Sequence, residues 1–463
     1  DNGGGNITLT STIGGITTGQ LNAASDSTAN GGDITLDAAE NILATSDINT
    51  NNGFSSGGYV SLNSNNGTIT VQGTINTSGF DSIGSNGGDI NLYAEADIEV
   101  DQITAGGANG GGNINIKSNS SGIQASEIIS TANSNVFEGV RGSGGNITLE
   151  ATGDINTDQI DSTGSSGGTI SISTNANINI SQIDSIGEST FNIGDAAGGT
   201  IELTSNNGAI TVQGRLNTSA STDQGTSTGG NITLEATEEI NTGRIDSTGL
   251  FGGAISISTN GNINTGQIDS IGEITFDTDD TTGGTIDLTS NNGSITVQGS
   301  LNTSASTDEG TASAGNITLI SGSDITIDGD GVFASTNNGN GGDITFEAGE
   351  DIFTDDIHSV GNLSSGTINL SSGGTIDTSM IDGTTGAILS CSGIGNQCSG
   401  GNSTGGDVTL EAATSIITNI NATGSLGGGT IIVTSDEIDI GASSNDGTIR
   451  LEPFTPDQDI VIG

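Results

Sequence analysis

The sequence predicts an all-β protein: a right-handed single-stranded parallel β-helix, a solenoid of about 17 coils. Three observations carry this prediction. A short apolar motif recurs along the chain, a glycine precedes every copy at a fixed distance, and the 463 residues include 79 Gly but only 2 Pro. The glycines follow no strict Gly-X-Y period, which excludes collagen, and no run of 18 apolar residues encodes a transmembrane helix.

The motif consists of two apolar residues separated by one other residue. Its 17 copies start at positions 7, 34, 60, 90, 114, 147, 170, 201, 232, 255, 286, 317, 344, 368, 408, 431 and 449. Such alternation is the period of a β-strand. Most intervals span 23 to 31 residues, enough for about three short strands with polar bends. Stacked coils of this kind bury the aliphatic side chains that one coil alone leaves exposed.

The glycine lies two positions before each copy, from Gly5 to Gly447. A position that accepts only glycine needs either a positive φ or room for a neighbouring backbone. We expect this glycine row at a corner of every coil, with Asn side chains such as Asn113 and Asn146 exchanging amide hydrogen bonds between coils.

The repeat predicts one continuous β-helix over 1–463. Within it, 145–226 and 230–311 align without gaps at an offset of 85 residues, with 62 identities in 82 positions. Differences fall mainly at bends and outward positions; Arg215, for example, corresponds to Ser300. The longest interval predicts an inserted loop at 371–404, and the two prolines predict a terminating segment at 447–463. A duplicated length with a drifting surface indicates a spacer or a fibre.

The charge is strongly one-sided. The chain has 55 acidic and 5 basic residues, a formal net charge of -50. The basic residues are scattered singly, so we expect no nucleic-acid partner and no anionic membrane surface. Seventeen coils at about 4.8 Å each would measure roughly 80 Å, or about one negative charge per 1.6 Å. The fold requires no cofactor, but we expect divalent cations, Ca²⁺ in particular, to bridge carboxylates.

A few residues are candidates for a metal site. Asp356 and His358 flank an inward Ile357 and so share an outward face, where a metal could bridge them. The segment from Asp328 to Asp330 resembles a fragment of a calcium loop. The candidate ligands are therefore Asp328, Asp330, Asp355, Asp356 and His358, the last being the only histidine. The alternative is a solvated acidic face without a ligand.

The two cysteines, Cys391 and Cys398, lie close together in a Gly/Ser-rich stretch. They predict either a local disulfide in an oxidising compartment or two unpaired thiols in a loop. The first residue, Asp1, is preceded by no initiating Met, and no signal peptide follows. We therefore expect either a processed product or a piece of a longer chain.

Several segments carry a family resemblance. The sequence Gly-Gly-Asn-Ile-Thr-Leu occurs at 144–149 and 229–234, and Asp-Ile-Asn-Thr and Gln-Ile-Asp-Ser follow the first copy. These segments resemble the repeats of filamentous haemagglutinin-like exoproteins, which are secreted by the two-partner route. Residues 447–456 are similar to segments of large cyanobacterial members. The resemblance implies a surface or secreted β-helix. The family's secretion domain carries an Asn-Pro motif, but this chain has no Pro before Pro453, which implies a shaft without its export module.

These observations predict a structural or adhesive extracellular shaft, not an enzyme. We expect it to be a subunit of a cell-surface fibre that assembles head to tail with itself, with surface polysaccharide as a further partner. The alternative is a polysaccharide-degrading or polysaccharide-binding β-helix. A glycosidase needs only two carboxylates, and Asp356 in an acidic groove is the residue to test. A uronate lyase is disfavoured because the basic residues do not cluster.

Overall fold

The computed structural model describes residues 3–79, 84–132, 142–189, 194–273, 280–378, 387–389, 404–444 and 447–456. These residues form strands and no helix. Parallel strands stack as a β-solenoid, which confirms the predicted fold class. The chain divides into two compact units, Asp1–Thr237 and Glu238–Gly463.

Unit 1 contains strands on three successive faces of each coil. The first face consists of β1 (Ile7–Ser11), β4 (Ile34–Ala38), β7 (Val60–Ser64), β9 (Ile90–Ala94), β11 (Ile114–Ser118), β13 (Ile147–Glu150), β15 (Ile170–Thr174), β19 (Ile201–Ser205) and β24 (Ile232–Ala236). Separate second-face and third-face strands are β2 (Ile16–Thr18) and β3 (Leu21–Asn22), β5 (Ile42–Ala44) and β6 (Ile48–Asn49), and β20 (Ile210–Val212) and β21 (Leu216–Asn217). One strand covers both faces in β8 (Ile69–Asn76), β10 (Ile98–Thr104), β12 (Ile123–Ile129), β14 (Ile155–Asp161) and β16 (Ile178–Asp184). Short ladders add β17 (Gly187–Ser189), β18 (Ala196–Ala197), β22 (Ala220–Thr222) and β23 (Ser227–Thr228).

Equivalent residues of successive coils stack in register and form inward columns in unit 1, five of which are mainly aliphatic. Two columns lie on the first face, from Ile7 to Ile232 and from Leu9 to Leu234. The second face carries an isoleucine column from Ile16 to Ile210, and the third face a column from Leu21 to Leu216. The remaining second-face column is mixed and comprises Thr18, Ala44, Val71, Val100, Ala125, Thr157, Ile180 and Val212. The hydrophobic core of the unit is therefore a set of stacked rungs.

Unit 2 repeats this arrangement. Its first face consists of β27 (Ile255–Thr259), β31 (Ile286–Ser290), β35 (Ile317–Ser321), β39 (Ile344–Ala348), β42 (Ile368–Ser372), β45 (Val408–Ala412), β47 (Ile431–Thr434) and β49 (Ile449–Glu452). The second face consists of β25 (Ile240–Thr242), β28 (Ile263–Thr265), β32 (Ile295–Val297), β36 (Ile325–Ile327), β40 (Ile352–Phe353), β43 (Thr375–Asp377), β46 (Ser415–Asn421) and β48 (Glu437–Ser443), the last two extending onto the third face. The third face adds β26 (Ile245–Asp246), β29 (Ile268–Asp269), β33 (Leu301–Asn302), β37 (Val332–Phe333), β41 (Ile357–His358) and β44 (Ala387–Leu389), and a short ladder contains β30 (Thr281–Thr282), β34 (Ala312–Ser313) and β38 (Gly339–Asn340).

The predicted insertion at 371–404 is not a loop throughout. It contains β43, which pairs with β40 and β46, and β44, which pairs with β41 and β46. Residues 379–386 and 390–403 of this segment, including Cys391 and Cys398, lie outside the described residues. Of the terminating segment at 447–463, β49 pairs with β47, whereas 457–463 lie outside the described residues.

The glycine row is explained by close approach between backbones. A Cβ added to Gly315 would lie 1.8 Å from the carbonyl oxygen of Gly284, its counterpart one coil earlier, and at Gly88 the corresponding distance to Gly58 is 2.0 Å. Among the described glycines, positive φ occurs at Gly84, Gly225, Gly331 and Gly427, none of which belongs to the row. Of the two expected reasons, room for the neighbouring backbone is the one that applies.

Buried serine hydroxyls form hydrogen bonds between successive coils at the corner beside the glycine row. Ser162 donates to the carbonyl of Gly145 at 2.6 Å and accepts the Gly168 N–H at 3.1 Å, so its hydroxyl joins the start of its own coil to the next. Ser359 does the same with Gly342 and Gly366, at 2.7 and 2.9 Å. These hydrogen bonds satisfy polar groups that the corner would otherwise bury without partners.

Asn and Asp side chains also link successive coils, mainly through main-chain donors. Asn113 Oδ1 accepts the backbone N–H of Asn146 at 3.2 Å, and Asn146 Oδ1 accepts that of Thr169 at 2.9 Å. Amide-to-amide exchange occurs at other bends, as between Asn206 and Asn175 at 3.1 Å, and also on the strand faces, as between Asn179 and Asn156 at 2.9 Å.

Candidate functional site

The predicted acidic residues occupy one corner of two successive coils in unit 2. Asp328 and Asp330 lie exposed between β36 and β37, and Asp355 and Asp356 lie half-buried between β40 and β41. The corners stack because these strand pairs are in register. Gly331 has a φ of 109°, and a Cβ added to it would lie 2.3 Å from the Asp356 carbonyl oxygen. Within the described ranges, no group of three or more His, Cys, Asp or Glu side chains is arranged to hold a metal ion.

His358 is not the exposed ligand that the alternation predicts. Its Nε2 lies 3.7 Å from Asp356 Oδ2, so the two side chains do meet, but the histidine side chain is only 3% exposed. Phe333 and Leu389 occupy the equivalent position in the neighbouring coils. The Phe333 ring meets the imidazole edge to face at 5.3 Å. Burial lowers the pKa of His358, and the charge of Asp356 opposes this shift. The ring therefore packs as a neutral core group.

Two buried aspartates on the third face, Asp184 and Asp269, each pair with an arginine. These ion pairs were not predicted from the sequence. Asp184 is 5% exposed, and Arg215 of the next coil contacts both of its oxygens: Nε lies 2.8 Å from Oδ1, and Nη2 donates to Oδ2 at 2.9 Å. Asp269, the equivalent of Asp184 in the second copy, is 1% exposed and accepts a hydrogen bond from Arg244 at 2.9 Å. Arg244 comes from the preceding coil, where the first copy has Gln159.

The equivalent aspartate of each copy is thus paired with an arginine from a different neighbouring coil: the next coil in the first copy and the preceding coil in the second. The sequence signal was a pair of complementary differences, Arg215 against Ser300 and Gln159 against Arg244. Burial raises the pKa of Asp269, while hydrogen bonds from Gln267 and the charge of Arg244 oppose the rise. Burial likewise raises the pKa of Asp161, opposed by hydrogen bonds from Thr163.

A groove of about 540 Å³ runs across successive coils on the second face of unit 1. One wall consists of the outward residues Thr70, Glu99, Gln124, Asn156 and Asn179. The other wall consists of the outward residues two positions further along the chain, Gln72, Asp101, Ser126, Asp158 and Ser181. Its floor is the mixed column from Val71 to Ile180, whose side chains point inward and leave mainly backbone towards the groove.

The groove walls are polar and carry negative charge only. Three of the ten wall residues are carboxylates, the other seven are amides or hydroxyls, and no Lys or Arg lines the groove. Ser126 donates to Asp101 at 3.2 Å. In the floor, the Thr157 hydroxyl has no hydrogen-bond partner among the described residues, and the residue is 6% exposed. These side chains can donate to and accept from hydroxyl groups.

Within the described part of the chain, no helix has the length and apolarity needed to cross a membrane. Comparisons with protein families, with curated proteins and with solved structures found no match. The resemblance to filamentous haemagglutinin-like exoproteins therefore stays a prediction.

Proposed function

We propose that this chain is a structural or adhesive shaft segment of an extracellular, cell-surface fibre, similar to the shafts of filamentous haemagglutinin-like exoproteins, whose copies associate end to end. The observation that carries the proposal is the unbroken register within each unit. Every first-face strand of unit 1 pairs in register with the next, from β1 to β24. Such stacking gives each coil the same interface to its neighbours.

The duplication supports a role in which length matters. Ile147, Leu149 and Ile160 reappear unchanged as Ile232, Leu234 and Ile245, and all six are fully buried (0% exposed). The surface differs between the copies, and even the buried Asp–Arg pair is rebuilt from a different coil. A core that repeats while its surface drifts is expected of a spacer.

End-to-end association is supported by the aliphatic columns at the first and last described coils. Leu9 of β1 is 37% exposed and Ile449 of β49 is 46% exposed, whereas Leu36 and Ile431, their counterparts one coil further in, are fully buried (0%). A further coil stacked on either of these described coils would cover these side chains. The proposal assigns that coil to another copy of the chain, giving a heterologous contact that propagates.

Electron microscopy and sedimentation velocity of the purified chain test this proposal. We expect axially continuous fibres at high protein concentration, and we expect Leu9→Asp and Ile449→Asp each to abolish them while circular dichroism stays unchanged. The matched control is Ile13→Asp, because Ile13 is 91% exposed and lies outside the columns. Monomers at every concentration, or fibres that survive both end variants, would contradict the proposal.

A further inference from the structure

We propose that the groove on the second face of unit 1 binds an uncharged polysaccharide chain lying along the direction in which the coils stack. This proposal rests on the adhesive role proposed above and adds the class of partner that the chain binds. The binding can nevertheless be measured on single chains, whether or not they form fibres.

The groove has walls with a regular spacing. Residues of one wall are one coil apart, and parallel strands stack at about 4.8 Å, so five coils extend over about 19 Å. Across the groove, the walls are two residues apart along a strand, or about 6.6 Å between Cα atoms. Along the groove, a linear chain of sugar rings advances per residue by a distance similar to the coil spacing of about 4.8 Å. Each sugar would therefore meet a similar pair of wall residues, such as Gln124 and Ser126 or Asn156 and Asp158.

The chemistry of the walls matches sugar hydroxyls. Amides both donate and accept hydrogen bonds, and carboxylates accept them. Gln124, Asn156 and Asn179 form three successive positions of one wall and are all exposed. Opposite them, Asp158 is exposed and Ser126 and Ser181 are half-buried. Between the two walls, the floor presents mainly backbone, because the side chains of the mixed column point inward.

The charge of the groove selects against anionic glycans. Glu99, Asp101 and Asp158 contribute three negative charges that no Lys or Arg of the lining offsets, and the whole chain carries a net charge of -50. Uronate and sulfated polymers would be repelled. A basic peptide would satisfy the charge, but most wall residues are neutral amides and hydroxyls, repeated coil after coil. That regularity suits a polymer with one repeating unit better than a peptide of varied side chains.

Titration calorimetry with the full chain tests the proposal. The probes are linear gluco-oligosaccharides of two to six units, an oligogalacturonate of matched length and a lysine-rich peptide. We expect the gluco-oligosaccharides to bind with an affinity that rises with length, and the oligogalacturonate not to bind. The double variant Gln124→Ala and Asn156→Ala removes two exposed amides from one wall. It should weaken binding by about tenfold, as expected from the loss of two neutral hydrogen bonds.

The matched control is Asn119→Ala, which removes an exposed amide outside the groove and should leave the affinity unchanged. Binding that prefers the peptide or the oligogalacturonate, absence of oligosaccharide binding, or equal loss in both variants would overturn the proposal. Release of reducing ends from the bound oligosaccharide would also overturn it, in favour of a hydrolase. Failure to form fibres bears only on the proposed shaft, because calorimetry reports binding by single chains.

Discussion

Arg215 holds the buried carboxylate of Asp184 with two nitrogens, with Nη2 2.9 Å from Oδ2 and Nε 2.8 Å from Oδ1. The two residues belong to successive coils, so the ion pair joins one coil to the next. Asp184 is only 5% exposed, and Arg215 supplies a counter-charge to its carboxylate. A carboxylate left alone in a buried place is costly, whereas a paired one is tolerated.

Arg215→Ser should therefore destabilise the protein. Loss of one partner of a fully buried pair costs about 3–5 kcal/mol; because Arg215 is 49% exposed, we expect about 2–3 kcal/mol here. Urea unfolding at pH 7 measures the effect. Adding Asp184→Asn should recover most of the loss, and the control Lys117→Ala, which breaks an exposed ion pair with Glu150, should cost much less, because exposed ion pairs contribute little to stability. Equal effects of Arg215→Ser and Lys117→Ala would refute the assignment.

Gln159→Arg should rescue Arg215→Ser. In the second copy, Arg244 stands at the position of Gln159 and lies 3.1 Å from Asp246 and 2.9 Å from Asp269. Those two aspartates correspond to Asp161 and Asp184. An arginine at 159 should contact both and restore at least half of the lost free energy of unfolding. Gln159→Lys is the matched comparison, because ammonium lacks the planar fork of guanidinium. Rescue by neither variant would show that the two copies are not interchangeable.

Gly315→Ala should disrupt the corner that the glycine row forms. The added methyl group would lie 1.8 Å from the Gly284 carbonyl oxygen, and because backbone occupies that place, the neighbouring coils must separate. We expect a loss of about 3 kcal/mol or more. Gly19→Ala is the control, since nothing lies within 4 Å of its added Cβ, and its effect should stay within about 0.5 kcal/mol. Thermal unfolding compares the two; similar midpoints would contradict the close-approach explanation.

His358 should make the protein sensitive to mild acid. Burial lowers its pKa in the folded state, so its stabilising contribution is complete above the unfolded value of about 6.5 and is lost as pH falls through the lower, folded pKa. His358→Leu, which places the residue type of Leu389 one coil earlier, should abolish this component. Denaturant unfolding at pH 7 and pH 5 gives the difference between wild type and variant.

Asp356→Asn sharpens this test. The Asp356 carboxylate raises the pKa of His358 against the effect of burial, so its removal should lower that pKa further and increase the acid-dependent loss. If wild type, His358→Leu and Asp356→Asn lost the same free energy between pH 7 and pH 5, the buried imidazole would have no part in the response.

Salt should stabilise the chain. A net charge of -50 creates repulsion that rises with compactness and is screened by ions. We expect the thermal midpoint to rise steadily with NaCl. If cations bridge carboxylates as proposed, Ca²⁺ should raise it further at matched ionic strength. If neither added salt nor a chelator changed the thermal midpoint, such bridging would be ruled out.

Periodic features of this fold were predictable, whereas features that depend on pairs of distant coils were not. The first-face columns and the glycine row follow from a motif visible in the sequence. His358 was expected on an exposed face because alternation assigns a side chain to inside or outside only. The ring that it contacts, that of Phe333, lies 25 residues away in the chain. The pair Asp184 and Arg215, separated by 31 residues, and the groove walls depend on registers across intervals of unequal length.

The glycine row also determines where the protein tolerates foreign sequence. Beside that row the main chains of successive coils touch, so no extra residue fits there. Residues 223–226, between β22 and β23, are exposed and lie away from the inward columns. A peptide epitope or a small folded domain inserted after Gln224 would project from unit 1 without shifting a rung, so this bend is a suitable place to display cargo on the solenoid.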